Sequence, residues 1–85
     1  MMARIVFLGR LRDAAGCGKL DLALTDRTTV AGLIDLLEAR DPGLGAVLTD
    51  PSVRVAINRT LRPAEATDTV ADADEVAFLP PVTGG

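Results

Sequence analysis

The alternation of apolar and polar positions divides this chain into short strands and one long helix. Arg4-Ile5-Val6-Phe7-Leu8 is an apolar run whose hydrophobic residues fall on both parities, the pattern of a strand at least partly covered on both faces. Gly9 to Gly18 holds three glycines and the Arg12-Asp13 pair and reads as the turn of a hairpin. Lys19 to Leu24 then alternates strictly, which puts Leu20, Leu22 and Leu24 on one face of a half-exposed strand. Asp26-Arg27-Thr28-Thr29 supplies side-chain oxygens that accept from the orphan N–H groups at a helix start. Val30, Leu33, Ile34 and Leu37 follow at helical spacing, with Asp35, Glu38 and Arg40 turned outward. Gly32 inside that helix costs about 1 kcal/mol relative to Ala, which points to close packing at this position.

Asp41-Pro42-Gly43 stops the helix, and Leu44, Val47 and Leu48 predict one further short turn of helix before Asp50-Pro51. Val53, Val55 and Ile57 alternate with Arg54 and Ala56 as another strand. Asn58-Arg59 makes a tight turn, since Asn tolerates a left-handed backbone, and Thr60-Leu61 begins the return strand. Arg62 to Asp74 is irregular, Glu75 to Leu79 is the last strand, and Pro80-Pro81 ends it.

A single amphipathic helix covers only one face of such a sheet. The expected fold is therefore α+β: a mixed four- to five-stranded sheet with one main helix packed on one face, the β-grasp or ubiquitin-like arrangement. The apolar first and last strands belong at its centre. One domain spans residues 1–79, and residues 80–85 form an extended tail. If Ile5, Phe7, Val76 and Phe78 face the helix, then Leu8 and Leu79 face away from it, and Leu61 joins them. Leucines clustered on an open face mark a partner surface.

Composition narrows the chemistry. The core must be aliphatic, because there are two Phe, no Trp and no Tyr. A net charge of −3, from nine basic and twelve acidic residues, argues against nucleic-acid binding, which needs a basic footprint or aromatic stacking platforms. No apolar run reaches the roughly 18 residues of a membrane span, and no signal-peptide pattern is present. One cysteine forms no internal disulfide, so a reducing, cytoplasmic home is expected. Without histidine, the usual metal sites and Cys–His or Ser–His constellations cannot be built, and no bound cofactor is expected. Cys17, between Gly16 and Gly18, lacks a base or cationic cluster to activate its thiol. The chain is expected to act as a carrier or subunit, not as an enzyme on its own.

The candidate chemistry lies in Pro80-Pro81-Val82-Thr83-Gly84-Gly85, which leaves the last strand directly. Two prolines keep such a tail extended at roughly 3 Å per residue. Two glycines make its end slim enough to thread a narrow channel. A partner enzyme using ATP converts a terminal carboxylate into an acyl-adenylate, and a sulfur donor then displaces AMP to leave a thiocarboxylate. An unbranched Gly85 keeps that carbonyl open to attack.

The stretch Asp72-Ala73-Asp74-Glu75-Val76-Ala77-Phe78-Leu79-Pro80-Pro81-Val82-Thr83-Gly84-Gly85 resembles the C-terminal signature of the small subunits of molybdopterin synthase. Phe7, Leu11-Arg12-Asp13, Gly16 and Ile57-Asn58 extend the likeness along the chain, while Ala73 departs from it, standing where that family usually has Gly. The resemblance implies adenylation of Gly85 by a ubiquitin-activating-like adenylyltransferase, followed by sulfuration. It implies insertion of the tail, Gly84 included, into the large synthase subunit, where sulfur passes to cyclic pyranopterin monophosphate to build the dithiolene. The resemblance further implies a heterotetramer of two small and two large subunits, which fits two carriers consumed per dithiolene. Leu8, Leu61 and Leu79, with Pro80, Pro81, Val82 and Thr83, fall where that family meets its partner, and Arg12 is a further candidate anchor. Two alternatives stay open: a sulfur carrier of another pathway, such as thiamine or cysteine synthesis, and a ubiquitin-like modifier or interaction module.

Overall fold

Phe7 and Phe78, stacked with ring centroids 5.9 Å apart, mark where the first and last strands meet. The computed structural model describes residues 2–24, 26–62 and 69–80. Strand β1 (Ala3–Phe7) pairs antiparallel with β2 (Lys19–Leu22) and parallel with β7 (Glu75–Leu79). On its other side β7 pairs antiparallel with β4 (Arg54–Ile57), which pairs in turn with β5 (Thr60–Arg62). The result is a five-stranded mixed sheet in the order β2-β1-β7-β4-β5, a β-grasp sheet with the two apolar strands inside it. No described helix is long and apolar enough to cross a membrane.

Helix α2 (Val30–Arg40) lies on one face of this sheet and turns Leu33, Ile34 and Leu37 inward. Ile5, Phe7, Val76 and Phe78 meet them from the strands with essentially no solvent exposure. Each such side chain contributes about 1.5–3 kcal/mol of burial free energy. The helix starts as its sequence predicts: Thr29 is extended, and its Oγ1 accepts from Gly32 N at 3.1 Å. A Cβ on Gly32 would run into Thr28 Oγ1, so the glycine is required by close approach at this point.

Two elements depart from the expected pattern. The Gly9–Gly18 segment is more than a turn: it contains helix α1 (Leu11–Ala15), closed by a left-handed Gly16 whose N–H donates to Arg12 O. Leu11 is its buried anchor, and one apolar residue gives no helical period to read. The irregular Arg62–Asp74 stretch includes β6 (Thr69–Val70), which pairs with β3 (Thr28–Thr29) in a two-stranded sheet. A two-residue strand is held by its neighbours, and Val70 is fully buried beneath them.

Glu38 also differs from expectation. It is half-buried, and its carboxylate accepts from Gly43 N at 3.0 Å and Gly45 N at 2.8 Å. It thereby satisfies the orphan donors of the short helix α3 (Leu44–Leu48), where no N-cap side chain does so. Cations and carboxylates on an amphipathic helix are read as outward by period alone; here a following helix recruits one.

At the other end, β4 and β5 are joined by Asn58 and Arg59, with φ of 50° and 70°, the positive pair that a two-residue hairpin twisted like its strands demands. The Asn58 side chain accepts from Glu75 N at 2.9 Å and donates to Asp74 Oδ1 at 3.2 Å. Asp74 Oδ2 accepts from Ala71 N at 2.9 Å. These bonds fasten the hairpin to the turn that launches β7. In that turn Ala73 sits at φ 77°, a left-handed conformation that a Cβ disfavours.

Ala73→Gly should therefore stabilise the fold by about 1 kcal/mol, read as a shift in urea midpoint at unchanged slope. The N–H of Ala71 and the Asn58 amide hold the Asp74 carboxyl below its ordinary value of 3.8. Its contribution is present above that value and is lost as pH falls through the lower, folded one. The stability gap between wild type and Asp74→Asn should thus be widest at neutral pH and narrow in acid, in thermal melts followed by circular dichroism.

Candidate functional site

The register of the sheet decides what its uncovered face presents. Side chains directly opposite one another share a face, so Lys19, Val6, Ala77, Ala56 and Leu61 form one row across all five strands. Arg54 and Leu79 lie opposite each other in the next row. The inner-facing neighbours of these residues, Ile5, Phe7, Val76, Phe78 and Ile57, belong to the core cluster. Ala56 is buried yet absent from that cluster, as expected for a small residue sunk between longer side chains on the open face.

The outcome is a shallow apolar stripe. Leu61 is 64% exposed at one end of it, Leu79 is half-buried near the middle, and Leu8 is 39% exposed where β1 ends. Leu8 N donates to Phe78 O at 3.1 Å, which continues the parallel ladder one residue past β1 and sets Leu8 beside Leu79. Leu8 and Leu79 therefore meet at one end of the sheet, with Leu61 two strands away. Val6, Ala56 and Ala77 complete the stripe and were not singled out from sequence. Alanines carry little hydropathic signal, although Ala77 shares parity with Leu79.

Pro80 follows Leu79 and marks where the tail departs. Gly9 lies against it: a Cβ at Gly9 would stand 2.7 Å from Pro80 Cγ, and the glycine's φ of 56° turns the chain away from the ring. Pro80 thus stands against the first turn after β1. Arg12, just beyond, lines a shallow concavity of about 420 Å³ with Asp13, Gly16, Cys17 and Gly18. Cys17 is exposed there. Pro81, Val82, Thr83, Gly84 and Gly85 lie outside the described residues. Among the described residues, no group of three or more His, Cys, Asp and Glu is placed to hold a metal ion.

The chain is similar in sequence and fold to known proteins. The family model described as the ThiS family matches residues 5–85. The molybdopterin synthase sulfur carrier subunit of Escherichia coli K12 is 33% identical over 84 residues, covering 99% of this chain and all of that protein. The solution structure of small archaeal modifier protein 1 from Methanosarcina acetivorans is 27% identical with a TM-score of 0.77, over 100% of this chain and 99% of that one. The crystal structure of its Haloferax volcanii counterpart superimposes with a TM-score of 0.81 over the whole of both chains, at 22% identity, a likeness of fold alone.

Because Leu61 is largely exposed and is not among the residues packed on the core cluster, Leu61→Ser should change unfolding free energy by less than about 0.5 kcal/mol. Val76→Ala, two strands away on β7 and facing inward, should cost roughly 1–3 kcal/mol in the same denaturation assay. Equal losses would place Leu61 in the core.

Proposed function

Since the chain belongs to the ThiS family, we propose that it is the sulfur carrier of molybdenum cofactor synthesis and that Gly85 is its working group. The observation that carries this reading is full-length identity of 33% to a molybdopterin synthase sulfur carrier subunit, together with Pro80–Gly85 continuing directly from the central strand. The body, residues 1–79, presents the docking face, and residues 80–85 form the arm that reaches a remote site.

The chemistry follows from the carboxylate. Ionised, it is a poor electrophile. The Gly85 carboxylate attacks the α-phosphorus of ATP on the adenylyltransferase, giving an acyl-adenylate and pyrophosphate. A sulfur donor then adds to that carbonyl and AMP leaves, which places a nucleophilic thiocarboxylate at the tip. Inside the large synthase subunit the sulfur passes to cyclic pyranopterin monophosphate, and the carrier returns with a carboxylate. Two carriers serve each dithiolene, which fits an assembly of two small and two large subunits. Gly84 and Gly85 keep the arm narrow, Pro80 and Pro81 keep it extended, and Val82 and Thr83 line its passage. The carrier itself holds no cofactor; the nucleotide belongs to the activating partner. Leu8, Leu61 and Leu79 meet the partner, with Arg12 near the root of the arm.

A second reading, transfer of the activated tail to protein lysines, is favoured by the 27% identity to a small archaeal modifier protein. The two share every step up to the acyl-adenylate.

Incubation with the activating enzyme, ATP and a sulfide source should raise the intact mass by about 16 Da, sulfur replacing oxygen at Gly85. Deletion of Gly85 should abolish the gain without altering the thermal melt. Lysine-linked conjugates in place of the mass gain would establish the modifier reading, and a truncated chain that still gains sulfur would remove Gly85 from the mechanism.

A further inference from the structure

We propose that the partner surface received by the open sheet face is apolar at its centre and acidic at its rim, and that charge orients this chain to approach sheet-first. The proposal rests on the carrier reading and adds the chemistry of the partner.

Although the chain carries a net charge of −3, the charges of its described residues are divided unevenly between the two faces. The open face holds Arg4, Lys19, Arg54 and Arg59 against Asp21 and Glu75. The two acids are already engaged, Asp21 with Arg4 at 3.9 Å and Glu75 with Arg59 at 3.6 Å. Lys19 and Arg54 have no ion-pair partner among the described residues. They bracket the apolar stripe: Lys19 ends the row that contains Val6, Ala77 and Ala56, and Arg54 lies opposite Leu79. Arg12 adds a cation near the end of the sheet where the tail begins, beside Asp13, whereas Arg10 lies toward α3 with Asp50.

The helix layer has the opposite sign. Between Asp26 and Ser52, the segment bearing α2 and α3, five acids stand against two arginines. Among the described residues an electrostatic axis therefore runs from helices to sheet. Fields of this kind orient an approaching protein and raise its association rate, and they are screened over roughly 10 Å at 0.1 M salt. A second copy is a poor occupant, because a twofold contact sets Arg54 and Lys19 against a like-charged face. Nucleic acid is a poor one too, since both Phe rings are buried and offer no stacking platform.

The test measures association of the chain with the large subunit of molybdopterin synthase from the same source, by stopped flow across a salt series. Lys19→Glu/Arg54→Glu and Arg27→Glu/Arg40→Glu change the net charge equally, one pair on the sheet face and one on the helix layer. All four residues are exposed, and melts verify that both variants fold. At about 50 mM salt the sheet-face pair should slow association roughly tenfold or more, the helix-layer pair less than about twofold, and the curves should converge near 0.5 M. Equal effects of the two pairs, or a wild-type rate indifferent to salt, overturns the acidic-rim proposal and leaves the carrier reading standing. Absence of wild-type binding at every salt concentration removes both. Salt-sensitive binding of a single-stranded oligonucleotide as tight as that of the large subunit assigns the face to nucleic acid and overturns the proposal.

Discussion

Parallel pairing of the first strand with the last is the constraint on which this molecule depends. Residues 4–7 align with residues 75–78, and the alignment sets Phe7 against Phe78 and Ile5 against Val76 in the core. A parallel ladder needs both its faces or its crossover covered, and here the intervening chain supplies α2 and α3 as the cover on one side. Closing so long a loop is costly in entropy, although the cost grows only slowly with length. It is offset by a dense apolar cluster, not by any single bond.

The same pairing determines what the open face can do. Once Val76 and Phe78 turn inward, Ala77 and Leu79 must turn outward, and Pro80 must leave from the end where β1 also stops. The proposed docking surface and the tail root are thus two consequences of one register. A slip of one residue would bury Leu79 and expose Phe78. The open face is therefore mechanically tied to the core, and under the proposed function a partner that grips Leu61 and Leu79 would hold the base of the arm in a defined place.

Polar ties supply what apolar packing leaves unspecified. Glu38 joins α2 to α3 through two backbone N–H groups, and Asn58 with Asp74 locks the β4–β5 hairpin to the start of β7. Neither tie crosses the core. Both sit where backbone donors at an element's end would otherwise lack partners, and both constrain angle and register more than they add bulk stability. Ala73 at φ 77° is the local conflict in this arrangement, a residue with a Cβ in a turn that favours none.

Strand periodicity in Val53–Ile57 and Glu75–Leu79, helical spacing from Val30 to Leu37, the Thr29 cap and the Asn58-Arg59 turn were all legible in the sequence. Each is a local property, governed by residues within a few positions of one another. So was the outward parity of Leu79, because side chains alternate along a strand wherever it lies. Tertiary structure alone decided the pairing of Thr28–Thr29 with Thr69–Val70, the recruitment of Glu38 to α3, and the folding of Leu11–Ala15 as a helix around one buried leucine. It also decided that Ala56, Ala77 and Val6 join Leu61 in one row and that Lys19 and Arg54 share that face. The physical reason is common to these cases: two-residue strands, lone anchors, alanines and charges have weak local preferences, so their roles are set by neighbours that only the register of distant strands brings within reach.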